Sequence, residues 1–575
     1  MSARPPYAWE RSYPAGTQWN ARLDTTTLPD MLDGCIAQYG ERPAIEYRDR
    51  EISYRALGTL CDAAAAALLD LGLSHETLGL YLPNTPHHPL TLFGAARIGA
   101  RVVQLSPLDS ERELAFKLED TGARVLVTTN RPALLEMARR LVAAGRLDRL
   151  IVGNDSRWGP SGIGCERIDE SDDCLDFDRL LQWARVPPQW PTVARDDVVL
   201  LQFTGGTTGH PRAAMLTHAN LTAAVASYRA WARGQTMLSP GRERVICVLP
   251  LFHIYALSAV LLRHFADGNE VLLRERFDVE TALSDIEIKR ATLFPGVPTM
   301  WIALMSRPDI AQRDFSSLRA CASGGAPLPP QLAQQFQQTT GLTLRNGYGM
   351  TETAPAGTNM AQPDPVRPGS IGLPLPGIVL EVVDVNDPRR LLGPGQVGEL
   401  RIMGANVMKG YWNRPEENEK AFVDGFFLTG DIGMMDQDGY FFLVDRKKDM
   451  LICGGYNVYP QVIEDAVYEH PDVAEVIVVG VPDAYRGEAA KVFIKLRPGS
   501  GPLTLEALRA FLADKLGRHE MPTALEIRAE LPRTAVGKHS RRALAAELSS
   551  REEVPMSMGA AVAGPGRAGP AGRQP

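Results

Sequence analysis

Several features are missing from this chain, and each absence excludes a class of protein. The 575 residues include seven cysteines, an odd number, and no two of them form a C-x-x-C pair. This pattern does not fit a zinc site or a disulfide framework, and it favours reduced thiols in a cytoplasmic protein. The chain also lacks an excess of basic residues, because its formal net charge is −7. Such a chain repels a phosphate backbone overall, so nucleic acid is not expected as a partner.

An unbroken membrane span and a secretory leader are also missing. Residues 245–262 carry no formal charge over 18 positions, but Pro250 and His253 interrupt them. We therefore expect a buried strand ending near Leu249, a turn and a core helix rather than a transmembrane helix. Residues 1–13 contain Arg, Pro and Glu without an apolar stretch, so no secretory signal is predicted.

The chain does contain a long alternation of helical and strand patterns. It is 45% hydrophobic and too long for a single core, so three or four folding units are expected. Over the first 350 residues, helical periodicity alternates with short β-branched runs, which predicts parallel sheets covered by helices. We predict helices at about 56–71, 90–98 and 112–119, and strands at 78–82, 101–105, 124–127 and 198–203.

The pattern changes twice further along the chain. From about 363 to 445, Pro-Gly, Asp-Pro and Asp-Gly turns separate short strands, which predicts a β-rich subdomain. Beyond Lys448 a small α+β unit follows, so we divide the chain into an N-terminal domain (1–447), a C-terminal domain (448–549) and a disordered tail (550–575). The C-terminal unit is predicted to contain helices at 462–469 and 505–516 and strands at 473–481, 492–496 and 524–527.

One loop, directly after the predicted strand 198–203, has the composition of a polyphosphate site. Glycine lets the backbone approach phosphate oxygens closely, while amide N–H groups and threonine hydroxyls donate hydrogen bonds. A plain surface loop is the alternative. A Walker loop is excluded because Gly209 is followed by His210, Pro211 and Arg212 instead of Lys and Ser or Thr. The residues of this glycine–threonine loop are Thr204, Gly205, Gly206, Thr207, Thr208 and Gly209.

Further motifs follow this loop in a fixed order. They are residues 249–253, 323–327, 348–353, 429–431, 445–449 and 531–538. In order and spacing the set resembles the adenylate-forming, AMP-binding superfamily over about residues 30–545. The sequences at residues 203–209, 214–220 and 404–412 resemble those of the bacterial medium- and long-chain fatty acyl-CoA synthetases. The resemblance implies an α/β fold of two doubly wound subdomains, a distorted β-barrel and a small mobile α+β C-terminal domain.

The resemblance also implies an activity and its small molecules. ATP would convert a carboxylic acid to an acyl-adenylate, and coenzyme A would then take the acyl group, releasing AMP and pyrophosphate. Glu352 would hold Mg²⁺, which prefers one or two carboxylates together with phosphate oxygens and water. The other nucleotide residues would be Thr204 to Thr208 for the phosphates, Thr351 for the α-phosphate, Gly325, Ala326, Pro327 and Tyr348 for adenine, and Asp431 and Arg446 for ribose.

The same resemblance assigns the chemistry and the moving parts. Lys538 would bridge the attacking carboxylate and the α-phosphate, where a cation lowers the repulsion between two anions. Lys448 would be the hinge of the C-terminal domain, and Gly455 would line the coenzyme A channel. His253 and Glu352 complete the catalytic set with Lys538. The acyl pocket would be lined by His253, Gly296, Val297, Pro298 and Gly324.

Two departures from the family pattern leave alternatives open. Pro-Lys-Gly is usual after the glycine–threonine loop, but this chain has Pro211, Arg212 and Ala213. Alanine is disfavoured there if the backbone needs a positive φ, so a non-catalytic nucleotide-binding homologue is one alternative. Loading of a carrier protein is another, and so is an aromatic or dicarboxylic acid substrate. A dicarboxylate would need a cation deep in the acyl pocket, which the sequence does not locate.

The resemblance extends to partners. Lys538 lies in a context that bacterial lysine acetyltransferases modify in this family, and acetylation would remove its charge. We further expect a homodimer and a cytoplasmic enzyme that makes peripheral contact with the inner membrane.

Overall fold

The computed structural model describes residues 6–204, 211–233, 238–361, 367–453, 456–483, 486–533 and 539–552. Helices and three sheets make up this part of the chain. Within it, no helix is both long and apolar enough to cross a membrane. The seven cysteines are all free thiols, and six of them are buried.

The first sheet has seven strands and is covered on both faces. Neighbouring strands are parallel, except that the last two form an antiparallel pair. Val102 and Val103, adjacent in one strand, pack into two different hydrophobic cores, because successive side chains of a strand point to opposite faces. In spatial order the strands are Cys174–Asp176, Arg149–Gly153, Val125–Thr129, Thr77–Tyr81, Arg101–Leu105, Val198–Phe203 and Ala213–Thr217.

The second sheet begins as a mostly parallel sheet and continues into antiparallel strands. Its parallel part runs in the spatial order Arg50–Ser53, Pro43–Tyr47, Glu270–Leu273, Arg244–Cys247, Leu293–Gly296, Ala320–Ser323 and Leu344–Tyr348, the first pair being antiparallel. The antiparallel continuation is Thr358–Asn359, Ser370–Pro374, Phe441–Arg446, Phe426–Met435, Gly398–Met403 and Val379–Val383, with Phe422–Val423 beside Phe426–Met435. Phe441–Arg446 is the last strand of this sheet along the chain, so it leads into the C-terminal part.

The C-terminal sheet is smaller and has five strands. Its centre is the long antiparallel pair Val473–Asp483 and Gly487–Leu496. Leu451–Cys453 and Tyr456–Val458 extend it on one side, and Ala524–Ile527 pairs in parallel with Gly487–Leu496. The predicted fold class, mixed α/β with a large N-terminal and a small C-terminal part, is confirmed.

The helices start and end where local sequence signals place them. Helix Glu111–Thr121 begins at a capping box formed by Ser110 and Glu113 and ends at Gly122, whose φ is 69°. The α-helices are Leu28–Tyr39, Tyr54–Asp70, His87–Arg97, Glu111–Thr121, Pro132–Ala143, Phe177–Trp183, His218–Arg233, Arg263–Ala266, Val279–Glu287, Pro298–Met305, Pro330–Thr340, Pro415–Ala421, Pro460–Tyr468, Leu505–Leu512 and Arg541–Glu552. Short 3₁₀ turns lie at Ala8–Ser12, Asp155–Trp158, Ile310–Gln312 and Thr351–Thr353.

Some predicted boundaries were wrong. Strand Arg244–Cys247 ends before Leu249, because the side chain of Asn84 binds the backbone there, donating to the Leu249 carbonyl at 2.8 Å and accepting from the Leu251 N–H at 2.7 Å. The expected core helix is a π-helix, Tyr255–Leu262.

Two predictions near the C-terminus have different outcomes. The predicted helix 505–516 stops at Leu512. Of the predicted disordered tail, residues 550–552 end helix Arg541–Glu552, and residues 553–575 lie outside the described part of the chain.

The close packing of helices Tyr54–Asp70 and His87–Arg97 yields a stability prediction. A Cβ added at Gly94 would lie 2.9 Å from Ala64 Cβ and 3.0 Å from Ala65 N, so Gly94→Ala should lower the free energy of unfolding by about 1–3 kcal/mol. The control is exposed Gly34 in helix Leu28–Tyr39, where a new Cβ has no neighbour within 4 Å. Gly34→Ala should raise stability by about 0.5–1 kcal/mol. Urea unfolding of both variants measures this, and shifts of the same sign would contradict the packing described.

Candidate active site

A single large cleft receives residues from both sheets and from the C-terminal part of the chain. Its volume is about 1710 Å³. The predicted site residues that line it are Thr204, His253, Val297, Pro298, Gly324, Gly325, Ala326, Pro327, Tyr348, Thr351, Glu352, Asp431, Arg446 and Lys448. The predicted residues Gly205, Gly206, Thr207, Thr208, Gly209, Gly455 and Lys538 lie outside the described part of the chain. The structure thus brings fourteen predicted residues to one cleft.

Gly296 is placed differently from the other predicted acyl-pocket residues. It is not among the residues that line the cleft. A Cβ at this position would lie 3.0 Å from the indole nitrogen of Trp301. Gly296 therefore makes room for the buried Trp301 side chain behind the wall, while Val297 and Pro298 face the cleft.

Asp431 is buried and bound on both carboxylate oxygens. Its Oδ2 accepts a 2.6 Å hydrogen bond from the Tyr348 hydroxyl, and its Oδ1 lies 2.8 Å from Arg446 Nε. Asp431 and Arg446 are directly opposite each other on antiparallel strands Phe426–Met435 and Phe441–Arg446, which explains how residues 15 positions apart meet. The Asp431 charge raises the pKa of Arg446 above its usual value. Tyr348 and Arg446 therefore share the Asp431 carboxylate: the hydroxyl donates to one oxygen and the guanidinium pairs with the other.

Hydrogen bonds from Ser258 and Asn406 fix the loop that carries Thr351 and Glu352. The Ser258 hydroxyl donates to the Ala354 carbonyl at 2.7 Å. The Asn406 amide donates to the Thr353 carbonyl at 2.7 Å and to the Ala356 carbonyl at 2.8 Å. Ala354 itself adopts a φ of 56°, a left-handed conformation that non-glycine residues rarely adopt and that persists only where surrounding contacts enforce it.

Gly349 is required for this loop to close on itself. A Cβ on Gly349 would lie 1.3 Å from the Pro355 carbonyl oxygen, which is far inside van der Waals contact. Any side chain at position 349 would push the Thr351–Thr353 turn away, and Glu352 with it.

Glu352 belongs to a chain of side-chain contacts that the sequence motifs did not reveal. Its Oε1 accepts a 2.8 Å hydrogen bond from the Tyr411 hydroxyl. The Arg212 guanidinium lies over the Tyr411 ring, 4.3 Å from its centroid, and forms a 2.8 Å ion pair with Glu417. Burial raises the pKa of Glu352 above its usual value, while the Tyr411 hydrogen bond acts in the opposite direction.

The two departures from the family pattern both fit this structure. Ala213 is fully buried at the start of strand Ala213–Thr217. Its φ is not positive, so its Cβ causes no backbone strain. Arg212 keeps a positive charge at the cleft, where Pro211 and Arg212 both line the wall.

Thr204 begins the glycine–threonine loop from a fixed position. Its N–H donates to the Arg212 carbonyl at 2.9 Å, which closes the base of the loop. Its hydroxyl oxygen is buried and has no hydrogen-bond partner among the described residues. A buried hydroxyl without a partner is costly, so Thr204 offers a hydrogen bond to whatever occupies the loop.

His253 is oriented by a hydrogen bond from the backbone. Its Nδ1 accepts from the Tyr255 N–H at 3.2 Å. The preceding residue, Phe252, accepts a 2.9 Å hydrogen bond at its carbonyl from the Gln202 side chain. His253 is thereby positioned relative to the strand Val198–Phe203 that delivers the loop.

Charged residues on both sides of Lys448 connect the two parts of the chain. Lys448 lies in a turn between strands Phe441–Arg446 and Leu451–Cys453. Asp445, just before it, accepts from Arg541 Nη1 at 3.1 Å and from the Gln461 N–H at 2.8 Å. Arg541 also pairs with Glu464 at 2.7 Å. This ion-pair group fixes one orientation of the C-terminal sheet relative to the cleft.

The residues that flank the predicted catalytic lysine also line the cleft. Arg533 and His539 form a β-bridge with each other. Both contact one carboxylate oxygen of Glu475, at 2.7 Å from Arg533 Nη2 and 3.0 Å from His539 Nε2. The chain therefore enters and leaves segment 534–538 at the cleft.

Comparison with known proteins identifies the family. The sequence profile described as AMP-binding enzyme matches residues 32–412, and that described as AMP-binding enzyme C-terminal domain matches residues 462–538. The chain belongs to the AMP-binding enzyme family. It is an adenylate-forming acyl-CoA ligase.

Individual relatives agree with this assignment. The long-chain-fatty-acid–CoA ligase of Bacillus subtilis is 34% identical over 95% of this chain and 99% of its own length. The enzyme of the same name from Escherichia coli O157:H7 is 36% identical over 93% and 97%. Among solved structures, the anthranilate CoA ligase AuaEII in complex with anthranoyl-AMP superposes with a TM-score of 0.81, at 25% identity over 92% of this chain and 99% of that one.

Sequence reasoning missed two residues that line the cleft, Tyr411 and Arg541, and the buried Asn406, which supports the loop that carries Glu352. Tyr411 stands in segment 404–412, which resembled the family without suggesting a role, and Asn406 stands in the same segment. Arg541 lies three residues beyond the predicted catalytic lysine. Each acts by contacting a distant segment, so only the fold reveals its function.

The Glu352–Tyr411 hydrogen bond generates a prediction about pH dependence. A donor to the ionised form lowers a carboxyl pKa, so Tyr411→Phe should raise the pKa of Glu352 further. If Glu352 acts as a carboxylate, the acid limb of the adenylation rate will move to higher pH, with a roughly tenfold loss at the acid end. The pH profile of pyrophosphate exchange measures this.

A second tyrosine provides the matched control. The Tyr54 hydroxyl donates to the Asn269 carbonyl at 2.7 Å, and Tyr54 does not line the cleft. Tyr54→Phe should leave the acid limb where it is in the unaltered enzyme. An unchanged acid limb in Tyr411→Phe would show that this hydrogen bond does not tune the active carboxylate.

Proposed function

We propose that this ligase activates a medium- or long-chain fatty acid in the cleft and passes it to coenzyme A, with Lys538 as the catalytic cation. The observation that carries the proposal is the placement of Tyr348, Asp431 and Arg446 in the same cleft as Glu352. The names of the relatives support a fatty acid. Apolar residues of the cleft wall also suit an acyl chain, and they include Leu238, Ala259, Leu293, Val297 and Ile302.

The nucleoside would bind at the Asp431 carboxylate. Two ribose hydroxyls are donors, and a carboxylate that already accepts from Tyr348 and Arg446 can exchange these partners for them. Tyr348 supplies an aromatic surface for a purine. The backbone of residues 325–327 lines the same part of the cleft, and it would contact the edge of the base.

The first half-reaction joins the acid to AMP. A carboxylate oxygen of the acid attacks the α-phosphorus, a new P–O bond forms, the bond to the β-phosphate oxygen breaks, and pyrophosphate leaves. Two anions approach each other in this step, so a cation between them lowers the barrier. Lys538 is the candidate because the flanking residues Arg533 and His539 line the cleft.

Magnesium fits the donor groups of this site. No group of three metal-ligating side chains occurs within the described segments, so an ion here would rely on Glu352, phosphate oxygens and water. That is the coordination that Mg²⁺ prefers. When bound with ATP, the ion would neutralise phosphate charge. Glu352 is well suited to hold it because Tyr411 and the clamped loop fix its orientation.

The second half-reaction needs a different position of the C-terminal domain. The thiol sulfur of coenzyme A attacks the acyl carbon, the bond from that carbon to AMP breaks, and the thiol proton goes to solvent. Lys538 must leave and a channel past Gly455 must form, so the domain would pivot at Lys448. Such a pivot would break the Arg541–Asp445 ion pair, because the two residues lie on opposite sides of the hinge.

We also propose the cellular setting that the family implies. The enzyme would work in the cytoplasm, as a homodimer, with peripheral contact to the membrane that holds its substrates. Acetylation of Lys538 would switch off adenylation by removing the cation.

Separating the two half-reactions tests the proposal. With octanoate or palmitate, the unaltered enzyme should support acid-dependent pyrophosphate exchange and form the CoA thioester. Lys538→Met should reduce exchange by about 10²–10³-fold, since one preorganised charge at the transition state is lost. The same variant should still convert synthetic palmitoyl-adenylate and coenzyme A to the thioester.

Lys515→Met is the matched control, because Lys515 belongs to the same domain and pairs with Glu469 at the surface. It should leave both half-reactions intact. Equal loss of both half-reactions in Lys538→Met would contradict its assignment, and failure of the unaltered enzyme with every monocarboxylate would contradict the fatty acid.

A further inference from the structure

Arg263 is a cation in the wall of the cleft that the reaction described above does not use. It follows the π-helix Tyr255–Leu262 and begins helix Arg263–Ala266. Its Nε atom is buried without a hydrogen-bond partner. Across the described segments, no ion pair joins its guanidinium to a carboxylate. Arg263 as a whole is half-buried, and an anion that reached its buried Nε–H would gain a charge-assisted hydrogen bond.

Neighbouring arginines show how this protein normally satisfies such groups. Arg229, on the adjacent helix His218–Arg233, pairs with Asp267 at 2.8 Å. Arg274 is buried and pairs with both Glu46 and Asp285 at 2.6 Å. Asp267, four residues after Arg263, is therefore already occupied by Arg229. Both of these arginines have a carboxylate partner, whereas Arg263, which lines the cleft, has none among the described residues.

The groups around Arg263 connect it with the acyl part of the cleft. Its guanidinium lies over the ring of buried Tyr228, 5.2 Å from the centroid. Its charge also reaches Tyr255, whose ring lies 2.9 Å from the place of a Cβ on Gly324. Tyr255 thus lies in the cleft wall between Gly324, a predicted acyl-pocket residue, and Arg263.

The remaining groups near Arg263 do not supply a negative charge. His264 is buried, its Nδ1 lies 3.1 Å from the Asn269 amide, and burial holds its pKa well below the usual value, so it is neutral. Leu238, Ala259 and the Trp231 ring line the same cleft. In this apolar surrounding, a carboxylate would bind the guanidinium strongly and in a defined orientation.

We propose that Arg263 is a specificity-determining residue that binds the second carboxylate of an α,ω-dicarboxylic acid, whose first carboxylate is adenylated at the other end of the cleft. This inference rests on the proposed function, because it concerns the acid that enters the same site. A monocarboxylic fatty acid also fits the apolar walls but leaves Arg263 without a partner. A dicarboxylic acid of matching length satisfies both ends.

Chain-length series of mono- and dicarboxylic acids, C6 to C16, test the inference. For each acid, kcat/KM of pyrophosphate exchange is measured in the unaltered enzyme and in Arg263→Met. The optimal dicarboxylate should lose roughly 100-fold in the variant, and the monocarboxylate of equal length should be unchanged or improved. Arg263→Lys should retain part of the dicarboxylate activity, because it keeps the charge without the two-pronged geometry.

Arg229→Met is the control for a lost arginine in the same region, and it should change both acid classes equally. Melting temperatures of all variants show whether each is folded. Two results would overturn the role of Arg263 but leave the proposed function intact. One is an equal effect of Arg263→Met on both acid classes. The other is an enzyme that activates fatty acids but uses no dicarboxylate. Failure of the unaltered enzyme with both series would overturn the proposed function together with this inference.

Discussion

The pairing of the Asp431 carboxylate with Tyr348 and Arg446 is the interaction on which the arrangement of this site depends. The carboxylate is buried, and a buried carboxylate is stable only when its oxygens are paired. Tyr348 and Arg446 meet this requirement from two other segments of the chain. In doing so they fix the end of strand Leu344–Tyr348 against the last strand before the C-terminal part. The requirement to pair one charge thus organises the nucleotide end of the cleft.

Strand Phe441–Arg446, which carries Arg446, also connects the cleft to the C-terminal sheet. Asp445 and Arg446 are adjacent, and their side chains serve different parts of the protein: Arg446 pairs with Asp431 in the cleft, while Asp445 pairs with Arg541 beyond the turn at Lys448. Burial raises the pKa of Asp445, so this carboxylate depends on its partners. An ion pair across a turn can be exchanged for another when the domain moves, which suits an enzyme with two successive reactions.

Sequence reasoning could identify features that are local in the chain. Strand Arg101–Leu105 and strand Val198–Phe203 have the predicted bounds, because the period of apolar residues encodes them directly. Tyr348, Asp431 and Arg446 could be proposed as site residues because each stands in a short motif of the family that the sequence resembles, and the structure places all three in one cleft. Tyr411 and Arg263 could not be assigned in this way. Tyr411 contacts Glu352, 59 residues away, and the role proposed for Arg263 rests on its having no carboxylate partner in the described part of the chain.

Separate motifs of this chain are proposed to converge on one acyl-adenylate. A crystal structure with a non-hydrolysable acyl sulfamoyl adenosine would show whether they do. We expect the ribose hydroxyls on Asp431, the purine beside Tyr348 and the sulfamoyl group near Thr351 and Glu352. An inhibitor bound outside this cleft, or bound in it with ribose remote from Asp431, would show that the motifs do not share one ligand.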